Sequence, residues 1–122
     1  MQFIKDTTNN VHLITGLDDG AIRVDEATIT GSLILSADAM TPWPVNNVGD
    51  INSDLWQVAL DARPEIILLG TGTELVFPQP SQLESLYARQ IGVEVMNTEA
   101  ACRTYNLLVH EHRKVVAALI LS

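Results

Sequence analysis

The sequence predicts a single α/β domain over residues 1–122, a central β-sheet flanked by helices, and two observations carry that expectation. From Asn52 onward the apolar pattern alternates helix, strand, helix, strand, helix, strand, which is the order of a sheet covered by helices. At 122 residues, 47% hydrophobic and 18% charged, the chain is also long enough to bury roughly two thirds of its unfolded surface in one core.

Met1 to Thr8 reads as a lead-in without periodicity. Val11-His12-Leu13-Ile14 and Ala21-Ile22-Arg23-Val24 read as paired strands around Gly16-Leu17-Asp18-Asp19-Gly20, whose glycines and aspartates suit a tight reversal. Ala27 to Leu35 is rich in β-branched residues and predicts one strand bent or bulged at Gly31. Thr41 to Gly49 is a proline-punctuated loop in which Trp43 is expected to pack as a plug.

Leu55, Val58, Ala59 and Ala62 recur at helical spacing, with Asn52 or Ser53 to cap the start and Pro64 to end the run. Glu65 to Leu69 is continuously apolar after its first residue, as in a strand buried on both faces, and Gly70-Thr71-Gly72 ends it. Pro78 and Pro80 keep Thr73 to Pro80 from becoming helix, so that stretch is expected to run along the surface. Ser81 and Glu84 form a capping box ahead of a helix with Leu83, Leu86, Tyr87 and Ile91 on one face and Gly92 as the stop. Val93 to Met96 is a short strand, Asn97 or Thr98 caps another helix, and Val115 to Leu121 closes the chain as a strand.

Charge narrows the function classes. Seven Lys plus Arg against fifteen Asp plus Glu give a net charge of -8, a field that repels phosphate backbones, so no nucleic-acid partner is expected. The acids concentrate in the first half, from Asp18 and Asp19 through Asp61, and a basic partner would prefer that half. Cys102 is the sole cysteine, which precludes an intrachain disulfide and suits a reducing compartment. The longest apolar run, Val115 to Leu121, is strand-sized, and MQFIKDTTNN resembles neither a signal nor a transit peptide. The expectation is a cytoplasmic location without membrane insertion.

Two motifs in order, Pro64 through Gly72 and Thr98-x-x-Ala101-x-x-Thr104-Tyr105-Asn106-x-Leu108-x-x-Glu111-x-Arg113, resemble the family of mitochondrial complex I assembly factor 3 and the adipogenesis-associated domain proteins. The resemblance extends more weakly through Gly31-Ser32 and Trp43. It implies an α/β (α+β) fold: a mixed central sheet, flanking helices and an additional small β layer. It also implies a non-enzymatic assembly role through a protein partner, linked to respiratory NADH dehydrogenase, and it supplies no catalytic residues. His112 stands where the family usually carries glycine, so retention of the family turn would give His112 a positive φ.

No complete set of acid, base, nucleophile or metal ligands is found, and no catalytic residue, cofactor or metal is assigned. Gly70-Thr71-Gly72 follows a strand as phosphate loops do, but position 75 is leucine where a dinucleotide motif needs glycine, and no Walker lysine follows. Cys102 falls on the apolar stripe of its helix with Ala101, Tyr105, Leu108 and Val109, while His110 and His112 diverge on a helix. The candidate ligand or partner surface is Gly70, Thr71, Gly72, Arg103, Asn106, Glu111 and Arg113, gathered into one shallow cleft if the glycine loop lies over the same sheet edge. The competing class is a small-ligand binder or enzyme using the Gly70-Thr71-Gly72 loop with Asn106 and Arg113.

Overall fold

The computed structural model describes residues 11–121, and the Met1 to Thr8 lead-in lies outside them. Strands β1 (Ile14–Asp18), β2 (Ala21–Val24) and β3 (Ala27–Thr30) form a small antiparallel sheet in that order. A five-stranded mixed sheet runs β5 (Met40–Pro42), β4 (Leu33–Leu35), β8 (Val115–Leu119), β6 (Ile66–Gly70), β7 (Gly92–Met96). In it β6, β7 and β8 are parallel, and β4 is antiparallel to both β5 and β8. Among the described residues there are three α-helices, α1 (Gln57–Asp61), α2 (Glu84–Ala88) and α3 (Thr98–His110).

The central strands sort their side chains with the period of two that a pleated sheet imposes. Val115, Ala117, Leu119 and Leu121 join Leu33, Leu35, Leu68 and the apolar stripe of α3 in one core, closed by Ile14, Ile22 and Val24 of the small sheet. Val116, Ala118 and Ile120 point the other way, with Ile67 and Leu69, into a second core containing Trp43, Trp56, Leu83 and Leu86. The sheet is therefore buried on both faces, which explains the unbroken apolar runs of β6 and β8. The connection from β6 through α2 steps to β7, and the connection through α3 steps back across β6 to β8. Right-handed crossovers in opposite directions place α2 and α3 on opposite faces, as observed.

Several elements differ from expectation. The first strand runs through Gly16-Leu17-Asp18, so the reversal is confined to Asp19 and Gly20 rather than spread over Gly16 to Gly20. Gly31 does not bend one strand: at φ 89° it ends β3, and the chain crosses into β4 of the other sheet. Thr41 and Pro42, expected in the loop, form an edge strand with Met40, and Val48–Asp50 is a 3-10 turn. Trp43 does pack as a plug, its indole N–H donating to the Leu55 carbonyl at 2.9 Å. Asn52 caps the next helical segment, accepting from the amides of Asp54 and Leu55, but Val58 is exposed and Trp56 takes the buried position. The expected Ser81 box is displaced by two residues, since Gln82 Oε1 accepts from the Gln79 amide, and Tyr87 faces solvent.

All three helices end on left-handed residues other than glycine: Arg63 (φ 52°), Gln90 (φ 57°) and His112 (φ 62°). Gln90, not Gly92, therefore stops α2. At His112 the motif is complete, with the His112 amide donating to Val109 O and the Arg113 amide to Leu108 O, both at 2.9 Å. The positive φ expected at His112 is present. His112→Gly is accordingly expected to raise the unfolding free energy by about 1 kcal/mol, the relief of left-handed strain less the entropy cost of glycine. Urea titration checks this, and a lower midpoint would overturn it.

Candidate functional site

The carboxyl ends of parallel strands are where open α/β sheets present their working crevice, because the loops diverge there. In this chain those ends are Gly70-Thr71-Gly72 after β6, Asn97 after β7 and Ile120-Leu121 after β8. The glycine loop is built by close packing. A Cβ on Gly70 would stand 3.0 Å from Thr98 Cα and Oγ1 and 3.1 Å from Ala101 Cβ, so glycine lets the first turn of α3 rest on β6. Gly72 serves differently, adopting φ 101° in open space. Thr71 between them is buried, and its hydroxyl donates to Glu74 O at 2.6 Å and accepts from the Val76 amide at 3.2 Å, which turns the chain outward.

Thr98 locks this corner. Its buried hydroxyl accepts from the Gly72 amide and donates to Ile120 O, both at 2.8 Å, while its own amide donates to Gly72 O at 2.8 Å. The Thr71 amide donates to Met96 O at 2.9 Å. The amides of Thr71 and Gly72 are thus already spent on the protein, which weighs against a phosphate cradle.

In front of the corner lies an open groove of about 670 Å³. Leu17, Gly72, Thr73, Asn97, Thr98, Ile120 and Leu121 line it, with the side chains of Ile120 and Leu121 buried in the two cores beneath. Asp18 and Asp19 at the β1–β2 turn, with Glu99 on α3, give it an acidic rim. Asn97 is occupied as the cap of α3, accepting from the Ala100 amide at 2.8 Å. Among the described residues no buried side-chain polar atom is left without a partner.

The sequence-derived candidates do not meet in one cleft. Gly70, Thr71 and Gly72 lie at the start of α3, whereas Glu111 and Arg113 follow its end, about 20 Å away for 13 residues. The exposed Arg113 reaches Glu65 at 3.9 Å rather than pairing with Glu111. Exposed Arg103 is paired with Glu99 at 2.9 Å.

Asn106 is committed to the fold: Oδ1 accepts from the Ile14 amide at 2.9 Å and Nδ2 donates to Ile14 O at 2.7 Å. With Tyr105 donating to His12 O at 2.8 Å, it ties β1 to α3 and so joins the two sheets. Asn106→Ala leaves both Ile14 backbone groups without this partner and is expected to cost about 1–3 kcal/mol for each, about 2–6 kcal/mol in all. Loss of hydrogen-exchange protection at the Ile14 amide checks that role, and unchanged protection would refute it.

Cys102 is fully buried, and its thiol is pushed up to about 12, first by desolvation and then by Glu99. Burial, then Asp25 and Asp38, raise Tyr105 as well. Both folded pKa values exceed the unfolded ones, so this stability is complete below the ordinary values of 9.0 and 10.0 and is lost at higher pH, as the unfolded chain ionises first. The unfolding free energy is therefore expected to fall from pH 9 upward, by at most about 1.4 kcal/mol per pH unit for each group. Cys102→Ala should flatten the slope between pH 9 and 10 in urea titrations, and an unchanged slope would count against this assignment. Native Cys102 should react with a bulky thiol reagent only after unfolding.

Composition alone did not single out several residues that matter here. His12 Nδ1 lies 2.8 Å from Asp25 Oδ2, while Asp25 Oδ1 accepts from the Leu13 amide, a strut for the chain entering β1. Leu75, Val76 and Phe77 stand 51%, 46% and 70% exposed on the loop beyond Thr73. Their signal was visible as an apolar triplet inside a stretch that cannot be helix. Among the described residues no group of three His, Cys, Asp or Glu side chains is placed to hold a metal ion, and no helix is long and apolar enough to cross a membrane.

The fold and groove define a two-sheet α/β domain with an acidic groove at the ends of its parallel strands. Residues 14–120 match the family described as "Protein of unknown function (DUF498/DUF598)", and the chain belongs to it. A crystal structure of a protein from Bordetella parapertussis superposes with a TM-score of 0.88 at 36% identity, covering 94% of this chain and 99% of that one. The human NADH dehydrogenase [ubiquinone] 1 alpha subcomplex assembly factor 3 is 37% identical over 99 residues, 75% of this chain and 54% of that protein. The "13 kDa major membrane protein" of Francisella tularensis subsp. holarctica is 33% identical over 90 residues, 72% of this chain and 73% of its own. The chain spans about half the length of the assembly-factor relatives it matches.

Proposed function

We propose that this domain is a non-enzymatic interaction module that serves the assembly of respiratory NADH dehydrogenase by holding a protein partner. The observation that carries this reading is the exposed run Leu75-Val76-Phe77, three consecutive apolar side chains left in water, the kind of patch that marks a protein–protein contact. Relatives named as assembly factors supply the link to the respiratory complex. The alternative, a ligand binder using the glycine loop with Asn106 and Arg113, would have to work with groups the fold already uses or separates. A cytoplasmic site of action belongs to this proposal and rests on the unpaired Cys102.

Deleting the gene in its native organism should lower the amount of assembled NADH dehydrogenase on native gels. Wild-type protein should restore it and Phe77→Asp should not, although that surface variant keeps the wild-type melting temperature. Full assembly in the deletion strain, or full rescue by Phe77→Asp, would overturn the proposal.

A further inference from the structure

β7 is an edge of the five-stranded sheet, paired on one side only, with β6. In that parallel ladder the Gly92 amide donates to Glu65 O at 3.3 Å, and Met96 O accepts from the Thr71 amide at 2.9 Å. The bonds alternate along the strand, so Gly92, Glu94 and Met96 turn their backbone groups to β6 while Val93 and Val95 turn theirs to the open side. There the amides and carbonyls of Val93 and Val95 have no hydrogen-bond partner among the described residues. β7 also lacks the usual guards of an edge, since it holds no proline or lysine and its register with β6 is unbroken. The opposite edge, β5, is three residues long and ends in Pro42, and the β3 edge of the small sheet exposes Ala27, Thr28 and Thr30, with little to bury.

A second observation falls at the same place. Thr71, whose amide holds the end of β7, uses its hydroxyl to hold Glu74 O and the Val76 amide, so the exposed run Leu75-Val76-Phe77 begins beside that end. Unpaired backbone thus leads into an apolar surface. The two faces of β7 differ as well: Val93 and Val95 pack half-buried against the core that contains Trp43 and Trp56, whereas Glu94 stands exposed on the other face with no ion-pair partner among the described residues.

We infer that the β7 edge receives an extended segment of the partner protein as an added strand, its apolar side chains beside Val93 and Val95, a Lys or Arg across from Glu94, and its continuation over Leu75-Val76-Phe77. Charge selects this occupant over a second copy. Twofold pairing through Val93 and Val95 would set Glu94 directly opposite its own counterpart, between two chains that each carry a net charge of -8. The inference rests on the reading of the chain as a protein-binding module and adds the form and charge of what is bound.

The test uses the full chain labelled with nitrogen-15 and a capped hexapeptide of alternating valine and lysine, the pattern that the two faces of β7 require. The peptide should slow hydrogen exchange at the Val93 and Val95 amides, the mark of an added strand. Val95→Pro removes an amide that β6 does not use, so the fold is kept while peptide affinity falls at least about tenfold. Glu94→Lys should weaken the lysine peptide about tenfold and prefer a valine and glutamate peptide that wild type rejects. The inference falls if exchange at Val93 and Val95 is unchanged or slows elsewhere instead, if folded Val95→Pro binds as wild type, or if Glu94→Lys leaves the choice of peptide unaltered. Where Val95→Pro does not fold, Glu94→Lys decides alone. A dimer of the chain by itself that Val95→Pro abolishes would give the edge to a second copy and overturn the inference.

Complementation separates the two readings. Full rescue by Val95→Pro where Phe77→Asp fails would sink the edge assignment and leave the assembly role standing. Normal NADH dehydrogenase in the deletion strain, with peptide pairing as described, would remove the assembly role and leave the edge.

Discussion

Trp56→Ala is expected to lower the unfolding free energy by about 3–5 kcal/mol, the usual cost of emptying a buried aromatic site, out of a total of about 5–15 kcal/mol for a domain of this kind. Trp56 is 0% exposed and lies in the core on the α1 and α2 face of the sheet. Its ring is tilted 46° against Trp43 with centroids 5.1 Å apart, and its indole N–H donates to Gln82 O at 2.8 Å. Gln82 in turn donates through Nε2 to Val48 O at 2.8 Å and Ile51 O at 2.9 Å. Removing Trp56 therefore leaves a cavity, an unpaired carbonyl and a loosened anchor for the 3-10 turn at Val48–Asp50. Alanine at this position is expected to make the chain markedly more sensitive to urea, while Trp56→Phe, which keeps a ring but loses the donor, falls between it and wild type. A loss below about 1.5 kcal/mol for the alanine variant would show that the surrounding helices collapse onto the gap.

Where local chemistry decides the structure, the sequence was a sufficient guide. Of the two caps expected Asn97 is the one used, and of the stripe Ala101, Cys102, Tyr105, Leu108 and Val109 all but Leu108 are buried, Leu108 packing half-buried against the same core. His112 is the sharpest instance, because the path from α3 into β8 requires a left-handed residue whatever the side chain. Gln90 shows the limit of the same logic: a glycine nearby drew the stop two residues too far, since glycine marks freedom rather than its use.

What escaped the sequence depends on distant partners. A bend at Gly31 was legible, but that it separates two sheets depends on β4 pairing with β8 more than eighty residues on. Asn106 had the exposed-looking polarity of a ligand group, and only contact with Ile14, 92 residues away, turns it into a strut. The groove was hidden for the same reason, for Leu17, Gly72 and Ile120 meet only in the folded chain. The acidic bias of the first half was legible, and two of those acids, Asp18 and Asp19, line the groove.

Thr98→Val should cost about 2–6 kcal/mol although it barely changes the shape of the side chain, because it orphans two buried backbone groups at about 1–3 kcal/mol each. Those groups are the Gly72 amide and the Ile120 carbonyl, both now bonded to one hydroxyl at 2.8 Å in a site only 3% exposed. Water is a poor substitute there, since the corner is packed so closely that a Cβ added to Gly70 would stand 3.0 Å from Thr98 Oγ1. Thr98→Ser keeps the hydroxyl and loses one methyl, which is expected to cost only about 1 kcal/mol. The order of the pair discriminates between causes: valine worse than serine identifies the hydrogen bonds, and serine worse than valine would identify packing and refute the account. Gly72 and Ile120 both line the groove, so the valine variant should also lose hydrogen-exchange protection at the Gly72 amide under conditions where the Trp43 and Trp56 core stays closed.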